Sequence, residues 1–215
     1  MTYDPVIIKE TNTYSIDAFT LPHHYAESIK SVLIPKGMIK DRIEKLARDI
    51  HADYQDRDLI LICILKGGEK FFADISHYLD ILNSNDLAHS VPFKHDYLRA
   101  SSYQNDHSTG NVKLTLTDFE NLKKKDILLI EDIIDTGKTM MNIIAELKKY
   151  APNSIKVASL LVKDTDKSNG YTPDYAGFII PDLFVVGYCL DYNENFRDLS
   201  HICIISESGL HRYKK

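Results

Sequence analysis

Residues 128–140 constrain the fold of this chain more than any other stretch. They begin within an apolar run, residues 127–130, which has the length and composition of a buried strand. Two adjacent acids, a third acid three residues later and the turn Thr-Gly-Lys-Thr follow, and apolar residues then recur at helical spacing from Met140. A buried strand that leads through a short polar turn into a helix is the repeating unit of α/β proteins.

Apolar runs and helical patterns alternate along most of the chain. Residues 59–65 form a continuous apolar run, which is typical of a parallel strand covered on both faces. The other predicted strands are residues 93–98, 112–117, 127–130, 155–162, 184–190 and 202–205. The predicted helices are residues 29–50, interrupted near Pro35, and residues 71–82 and 137–150. We therefore predict an α/β fold with a mainly parallel central sheet flanked by helices, in a single domain spanning residues 1–215.

Composition narrows the range of partners. The chain carries 26 basic and 31 acidic residues, a net charge of −5, which disfavours nucleic acid and anionic membranes as main partners. Its cysteines, Cys63, Cys189 and Cys203, lie in apolar runs and lack metal-ligand or redox-pair spacing, so we expect them to be buried and reduced. The sequence has neither a secretory signal pattern nor an apolar stretch of membrane-spanning length. We expect a cytoplasmic protein with no membrane partner.

The acidic turn after residues 127–130 predicts a site for a phosphorylated sugar. Free N–H groups and the helix dipole at a helix N-terminus favour a phosphate. Glu131 and Asp132 suit ribose hydroxyls and a hard cation such as Mg²⁺. The ending Gly-Lys-Thr resembles that of a P-loop, but a P-loop needs glycine where this chain has Asp132, whose carboxylate would repel phosphates. An acidic loop that only caps the next helix is the simpler alternative, and three acids before a Thr-Gly-Lys-Thr turn favour the site instead.

Residues 128–140 resemble the 5-phosphoribosyl-1-pyrophosphate (PRPP) binding motif of the type I phosphoribosyltransferases. Other stretches resemble the purine-salvage branch of this family, in order along nearly the whole chain. These stretches are residues 22–27, 41–49, 65–68, 71–74, 102–103, 157–163 and 184–198. The resemblance implies the type I phosphoribosyltransferase fold, with a small hood formed by N- and C-terminal segments, and a homodimer or homotetramer.

The same resemblance implies transfer of a 5-phosphoribosyl group from PRPP to N9 of hypoxanthine or guanine, giving IMP or GMP and pyrophosphate. Mg²⁺ is the implied cofactor. Two alternatives stay open: an enzyme of this fold that prefers xanthine or adenine, and a regulator that binds nucleotide or RNA without catalysis. The intact Lys163, Asp191 and Arg197 favour the enzyme, whereas Asp164 and Asp166 stand where the family tends to be basic.

Roles for the PRPP motif follow from the resemblance. Glu131 and Asp132 are expected to hold the ribose hydroxyls and a metal ion. Asp135 is the expected general base, which accepts the purine N7 proton as N9 attacks. The 5′-phosphate is expected in the turn formed by Asp135, Thr136, Gly137, Lys138 and Thr139.

Pyrophosphate and the purine are expected beside this turn. The residues that the resemblance implies for pyrophosphate are Lys66, Gly67, Ser102, Tyr103 and Arg197. Members of the family often have a cis peptide between the residues matching Lys66 and Gly67. The pair Ser102-Tyr103 is expected at the tip of a mobile lid loop, about residues 100–118, which closes to keep water from the reacting ribosyl group.

The purine is expected to contact Lys163, Phe184, Val185 and Asp191. An ammonium group has three donors and no acceptor, so Lys163 suits the 6-oxo group of hypoxanthine and guanine and not the 6-amino group of adenine. The resemblance implies that the Phe184 ring stacks on the purine, that backbone groups at Val185 and Asp191 read its edge, and that the Asp191 carboxylate binds a second Mg²⁺. Arg197 suits pyrophosphate oxygens because its planar fork donates two parallel hydrogen bonds.

Overall fold

The described part of the chain, residues 4–102 and 112–215 of a computed structural model, contains ten strands and four α-helices. Side chains at residues 101–102 and 112–113 are not described. The strands are β1 (Val6–Ile7), β2 (Ile29–Ile34), β3 (Leu59–Leu65), β4 (Phe93–Ser102), β5 (Val112–Thr115), β6 (Asp126–Ile134), β7 (Ser154–Asp164), β8 (Tyr175–Pro181), β9 (Val185–Val186) and β10 (Ile202–Ile205). The helices are α1 (Lys36–Asp53), α2 (Glu69–Asn85), α3 (Lys138–Leu147) and α4 (Glu207–Arg212).

The central sheet has seven strands in the order β1-β8-β7-β6-β3-β4-β5. All neighbouring pairs are parallel except β4 with β5. Helices α1 and α2 connect or follow strands of this sheet on one face, and α3 covers the other. The α/β fold with a mainly parallel sheet is therefore confirmed.

Two apolar cores lie on opposite faces of β3 because successive side chains of a strand point to opposite sides. Leu61 and Cys63 belong to the cluster that includes the buried residues of α1 and α2. Ile62 and Ile64 belong to the cluster that includes the buried residues of α3. This double coverage explains why the strand is a continuous apolar run, as expected for a parallel strand in the middle of a sheet.

The second sheet is antiparallel, with three strands in the order β2-β10-β9. It joins an N-terminal strand to two C-terminal strands and thereby forms the expected hood. The hood is tied to the start of α1 by the backbone N–H of Lys36, which donates to Nδ1 of His201 at 2.9 Å.

Two secondary-structure predictions were wrong, and three elements, β1, β8 and α4, were not predicted. Residues 29–34 form β2 and not a helix, because their backbone pairs with that of β10. Strand β8 was not predicted; a Cβ on its Gly177 would lie 2.5 Å from the Leu160 carbonyl, so glycine permits the close approach of β7. The predicted strand 184–190 shrinks to β9, since Gly187, Tyr188 and Cys189 have positive φ angles that end it.

Among the helices within residues 4–102 and 112–215, none combines the length and apolar character that crossing a membrane requires.

Candidate active site

Predicted site residues lie near the carboxyl ends of three strands: Lys66 after β3, Glu131 and Asp132 in β6, and Lys163 in β7. These strands are neighbours in the central sheet, in the order β7-β6-β3. The β3–β6 pairing stops at Cys63 opposite Ile130, whereas β6 continues beside β7 as far as Ile134. Glu131 and Asp132 therefore lie where β6 has lost one neighbour, and the turn after β3 occupies the vacated place. Ligands of such sheets bind at this carboxyl edge.

The turn after β3 packs directly on one of the acids. A Cβ added to Gly67 would lie 1.6 Å from Oδ2 of Asp132, so only glycine fits beside this carboxylate. The cis peptide in this turn joins Leu65 to Lys66 and not Lys66 to Gly67, which corrects the expectation from the family by one residue.

Glu131 and Asp132 are adjacent carboxylates that repel each other. Withdrawal from water and the neighbouring Asp132 raise the pKa of Glu131 well above its ordinary value. Asp132 is held in place by its Oδ1, which accepts a hydrogen bond from the N–H of Ile133 at 2.8 Å. A divalent cation would relieve the repulsion between the two carboxylates, and their oxygen atoms are the ligands that Mg²⁺ prefers.

These acids suit a metal ion that the substrate helps to bind. Among residues 4–102 and 112–215, no group of three or more His, Cys, Asp or Glu side chains is arranged to hold a metal by itself. Mg²⁺ is commonly held by one or two carboxylates together with substrate phosphates and water. The donor set at Glu131 and Asp132 fits that mode of binding.

The turn between β6 and α3 encloses a cavity of about 250 Å³. The cavity is lined by Glu131, Ile133, Ile134, Asp135, Thr136, Gly137, Thr139 and Met140. Gly137 has a φ angle of +79°, which glycine adopts at little cost, and it precedes the first residue of α3, Lys138. The backbone N–H groups of the first turn of α3 thus lie at this cavity, as required of a phosphate site.

A second loop closes against the turn. The N–H of Asn169 donates to the carbonyl of Thr136 at 3.0 Å, and a Cβ on Gly137 would lie 2.3 Å from Oδ1 of Asn169. The loop at residues 165–171 thereby fixes the shape of the turn from outside.

Lys163, near the end of β7, is the cation nearest to the expected general base. Its Nζ lies 3.9 Å from Oδ1 of Asp135 and 3.2 Å from Oδ1 of Asp182, and its side chain is only 14% exposed. The Asp182 carboxylate also accepts from Thr165 at 3.1 Å and from Lys167 at 3.4 Å. These partners, Lys163 first, lower the pKa of Asp182.

Asp182 was missed by the sequence prediction. It follows directly after β8, and because β8 was not predicted, an acid at the carboxyl end of that strand went unnoticed. The signal was present in the apolar stretch at residues 175–180, which ends in Pro181-Asp182.

Phe184, two residues after Asp182, presents an exposed aromatic ring. Its side chain is among the large apolar groups left exposed, at 49%, and its ring contacts the edge of Tyr192 at a centroid distance of 5.4 Å. Val185, in contrast, is buried and contributes its backbone to β9. An exposed ring that is held by a neighbour offers a stacking surface for a planar base.

The segment after β9 carries the remaining charged residues. Nη2 of Arg197 lies 2.8 Å from Oδ1 of Asp191, and Nη1 donates to the Cys189 carbonyl at 2.7 Å. Glu194 lies 2.8 Å from Nζ of Lys66 and 3.4 Å from Nη2 of Arg197. These cations, Lys66 first, lower the pKa of Glu194.

The structure thus brings together most of the predicted site residues from β3, β6, β7 and the segment after β9. Ser102 is the last residue of β4, and its side chain is not described. Tyr103 and residues 104–111 of the predicted lid loop lie outside the described residues.

The sequence matches a family model for the phosphoribosyl transferase domain over residues 35–193. It is 51% identical to the hypoxanthine-guanine phosphoribosyltransferase of Rattus norvegicus, over 97% of this chain and 96% of the relative. It is 50% identical to the Homo sapiens enzyme of the same name, with the same coverage.

A solved structure is similar over nearly all of both chains. It is the hypoxanthine-guanine phosphoribosyltransferase of Schistosoma mansoni in complex with IMP, with a TM-score of 0.82 and 38% identity, covering 98% of this chain and 100% of the other. The chain therefore belongs to the phosphoribosyltransferase family, in the group of hypoxanthine-guanine phosphoribosyltransferases.

Proposed function

We propose that the protein transfers the 5-phosphoribosyl group of PRPP to N9 of hypoxanthine or guanine, in purine salvage, and releases IMP or GMP and pyrophosphate. The observation that carries this proposal is the 3.9 Å approach of the Lys163 ammonium to the Asp135 carboxylate at the rim of the phosphate turn. A donor for a 6-oxo group and an acceptor for a purine proton thus stand side by side, next to the place for a sugar phosphate.

The sugar phosphate is proposed to bind at the start of α3. Backbone N–H groups of the turn donate to the 5′-phosphate, helped by the hydroxyls of Thr136 and Thr139. Glu131 and Asp132 accept from the ribose hydroxyls, and their charge stabilises the positive character that develops at the ribosyl carbon.

The purine is proposed to lie between Lys163 and the Phe184 ring. Lys163 donates to the 6-oxygen, and Asp182 holds the ammonium group in place at 3.2 Å. Asp135 accepts the N7 proton as N9 bonds to the ribosyl carbon, so that no positive charge accumulates on the base. Backbone groups at Val185 and Asp191 face the remaining edge of the purine.

Pyrophosphate is proposed to leave toward Lys66 and Arg197, whose charges oppose the charge that grows on it. Glu131 and Asp132 would hold Mg²⁺, and Asp191 would hold a second ion; when bound, the metal would neutralise further charge on this leaving group. Tyr103 and the lid loop at about residues 100–118 are proposed to exclude water from the reacting centre.

Transfer itself is tested by incubating the protein with PRPP, Mg²⁺ and guanine and measuring products by chromatography. We expect GMP and pyrophosphate in equal amounts, because each transfer releases one molecule of each product. The Lys163→Met variant, which removes the ammonium group, serves as the control and should form much less GMP. Absence of GMP from the wild-type protein would favour a regulator that binds nucleotide without catalysis.

We also propose the setting in which the enzyme works. A homodimer or homotetramer is proposed from the family, and its substrates are small molecules, not nucleic acid. A net charge of −5 is consistent with that choice. A cytoplasmic location agrees with three free, buried cysteines, which are typical of reducing compartments.

A further inference from the structure

One carboxylate bridges the two cations to which we assign the pyrophosphate. Oε2 of Glu194 lies 2.8 Å from Nζ of Lys66, and its Oε1 lies 3.4 Å from Nη2 of Arg197. Lys66 follows β3 and Arg197 follows β9, so these cations come from distant parts of the chain, and this acid lies between them. Each carboxylate oxygen takes one cation, as two oxygens of a bound pyrophosphate would.

We propose that Glu194 is an internal substitute for pyrophosphate, which holds Lys66 and Arg197 together in the free enzyme and is displaced when PRPP or pyrophosphate binds. This inference rests on the proposed function and adds a residue to it. Glu194 thereby competes with the ligand for the same two cations, in contrast to a residue that only positions them.

The exposure of the pair makes such displacement possible. The side chains of Lys66 and Glu194 are 55% and 54% exposed, and ion pairs in contact with water contribute little to stability. A pyrophosphate carries several negative charges whereas Glu194 carries one, so pyrophosphate is attracted more strongly to both cations and displaces the carboxylate.

The backbone around Glu194 is fixed by its neighbours. Asn193 and Glu194 have φ angles of +50° and +68°, in the left-handed region that L-residues seldom adopt. The N–H of Glu194 donates to Oδ2 of Asp191 at 2.8 Å, and this bond holds the turn. Displacement of the carboxylate therefore needs only a side-chain rotation, while the turn and Asp191 stay in place.

The test is calorimetric titration of the full-length protein with inorganic pyrophosphate in the presence of Mg²⁺. Glu194→Gln keeps the size of the side chain and removes its charge. Because the lost competitor is one exposed ion-pair partner, we expect about fivefold tighter binding of pyrophosphate by this variant. Glu194→Asp keeps the charge but shortens the side chain, and we expect a smaller increase in affinity for pyrophosphate.

Asp198→Asn is the matched control, since Asp198 lies beside Arg197 in sequence and its carboxylate faces His24 at 3.8 Å instead. It removes the same charge from the same segment, and we expect the dissociation constant of pyrophosphate to change by less than about twofold. Unchanged or weaker binding by Glu194→Gln would overturn the inference in favour of a positioning role. Equal gains in Glu194→Gln and Asp198→Asn would overturn it as well, in favour of a general effect of charge. A wild-type protein that does not bind pyrophosphate would contradict the proposed function, and the inference with it.

Discussion

Replacement of Asp135 by asparagine is expected to lower turnover about 10²-fold or more while nucleotide binding stays near normal. Asparagine has the same shape but cannot accept the N7 proton, so the base would leave the reaction with a positive charge. Asp135 lies just after β6, and its side chain is 57% exposed. The substitution therefore leaves the core untouched, and a loss of turnover reports on the chemistry.

The measurement for Asp135→Asn is kcat with saturating guanine and PRPP, together with the dissociation constant of GMP by calorimetry. Asp166→Asn is a suitable control, because Asp166 lies on the exposed loop after β7 and is not among the residues proposed to contact the substrates. A kcat within about threefold of wild type in Asp135→Asn would remove this residue from the role of general base.

The second large effect is expected from Gly67→Ala. A Cβ at this position would lie 1.6 Å from Oδ2 of Asp132, far inside any real contact, so the carboxylate or the turn after β3 has to move. Displacement of a substrate-binding group by about 1 Å costs on the order of 10²-fold in rate. We expect kcat/KM to fall by about that factor, although the apolar cores on both faces of the sheet are unchanged.

Gly37→Ala provides the matched control for Gly67→Ala, because a Cβ at Gly37 meets nothing within 4 Å. The same methyl group is added there, in the first turn of α1, and we expect unchanged kcat/KM. Thermal unfolding of both variants checks that each is folded. Wild-type kcat/KM in Gly67→Ala would show that the contact with Asp132 is not needed for activity.

Much of the fold could be predicted because β3, β6 and β7 are buried on both faces. Burial of this kind requires continuous apolar runs, and the polar residues that follow such runs gather at one edge of a parallel sheet. Lys66, Glu131 and Lys163 each stand at the end of such a run. The order of the strands then makes them neighbours.

The remaining elements depend on contacts between distant segments. Residues 29–34 carry apolar side chains that fit a helix or a strand, and only pairing with β10 decides for the strand. Strand β8 contains Gly177, which permits the close approach of β7. This contact involves a distant segment and leaves no signal in the neighbouring sequence. The end of β9 is set by positive φ angles at Gly187 and Tyr188, and tyrosine gives no sequence signal for such a conformation.

The candidate site also combines residues that are consecutive in sequence with contacts between distant segments. The motif at residues 131–139 was recognisable because its residues are consecutive in sequence. The partners of its neighbours were not, since Asp182 meets Lys163 and Glu194 meets Lys66 only after the chain has folded. Such pairs are polar, so hydrophobic periodicity does not mark them in the sequence.

The most direct measurement compares kcat/KM for guanine, hypoxanthine, xanthine and adenine with PRPP and Mg²⁺. The Lys163 ammonium can donate to a 6-oxo group but leaves the 6-amino group of adenine without a partner. A site built around such a hydrogen bond rejects the wrong group strongly, so we expect guanine and hypoxanthine to exceed adenine by about 10²-fold or more. Xanthine shares the 6-oxo group and tests the opposite edge of the purine. A preference for adenine would contradict the assignment of Lys163 and with it the proposed function.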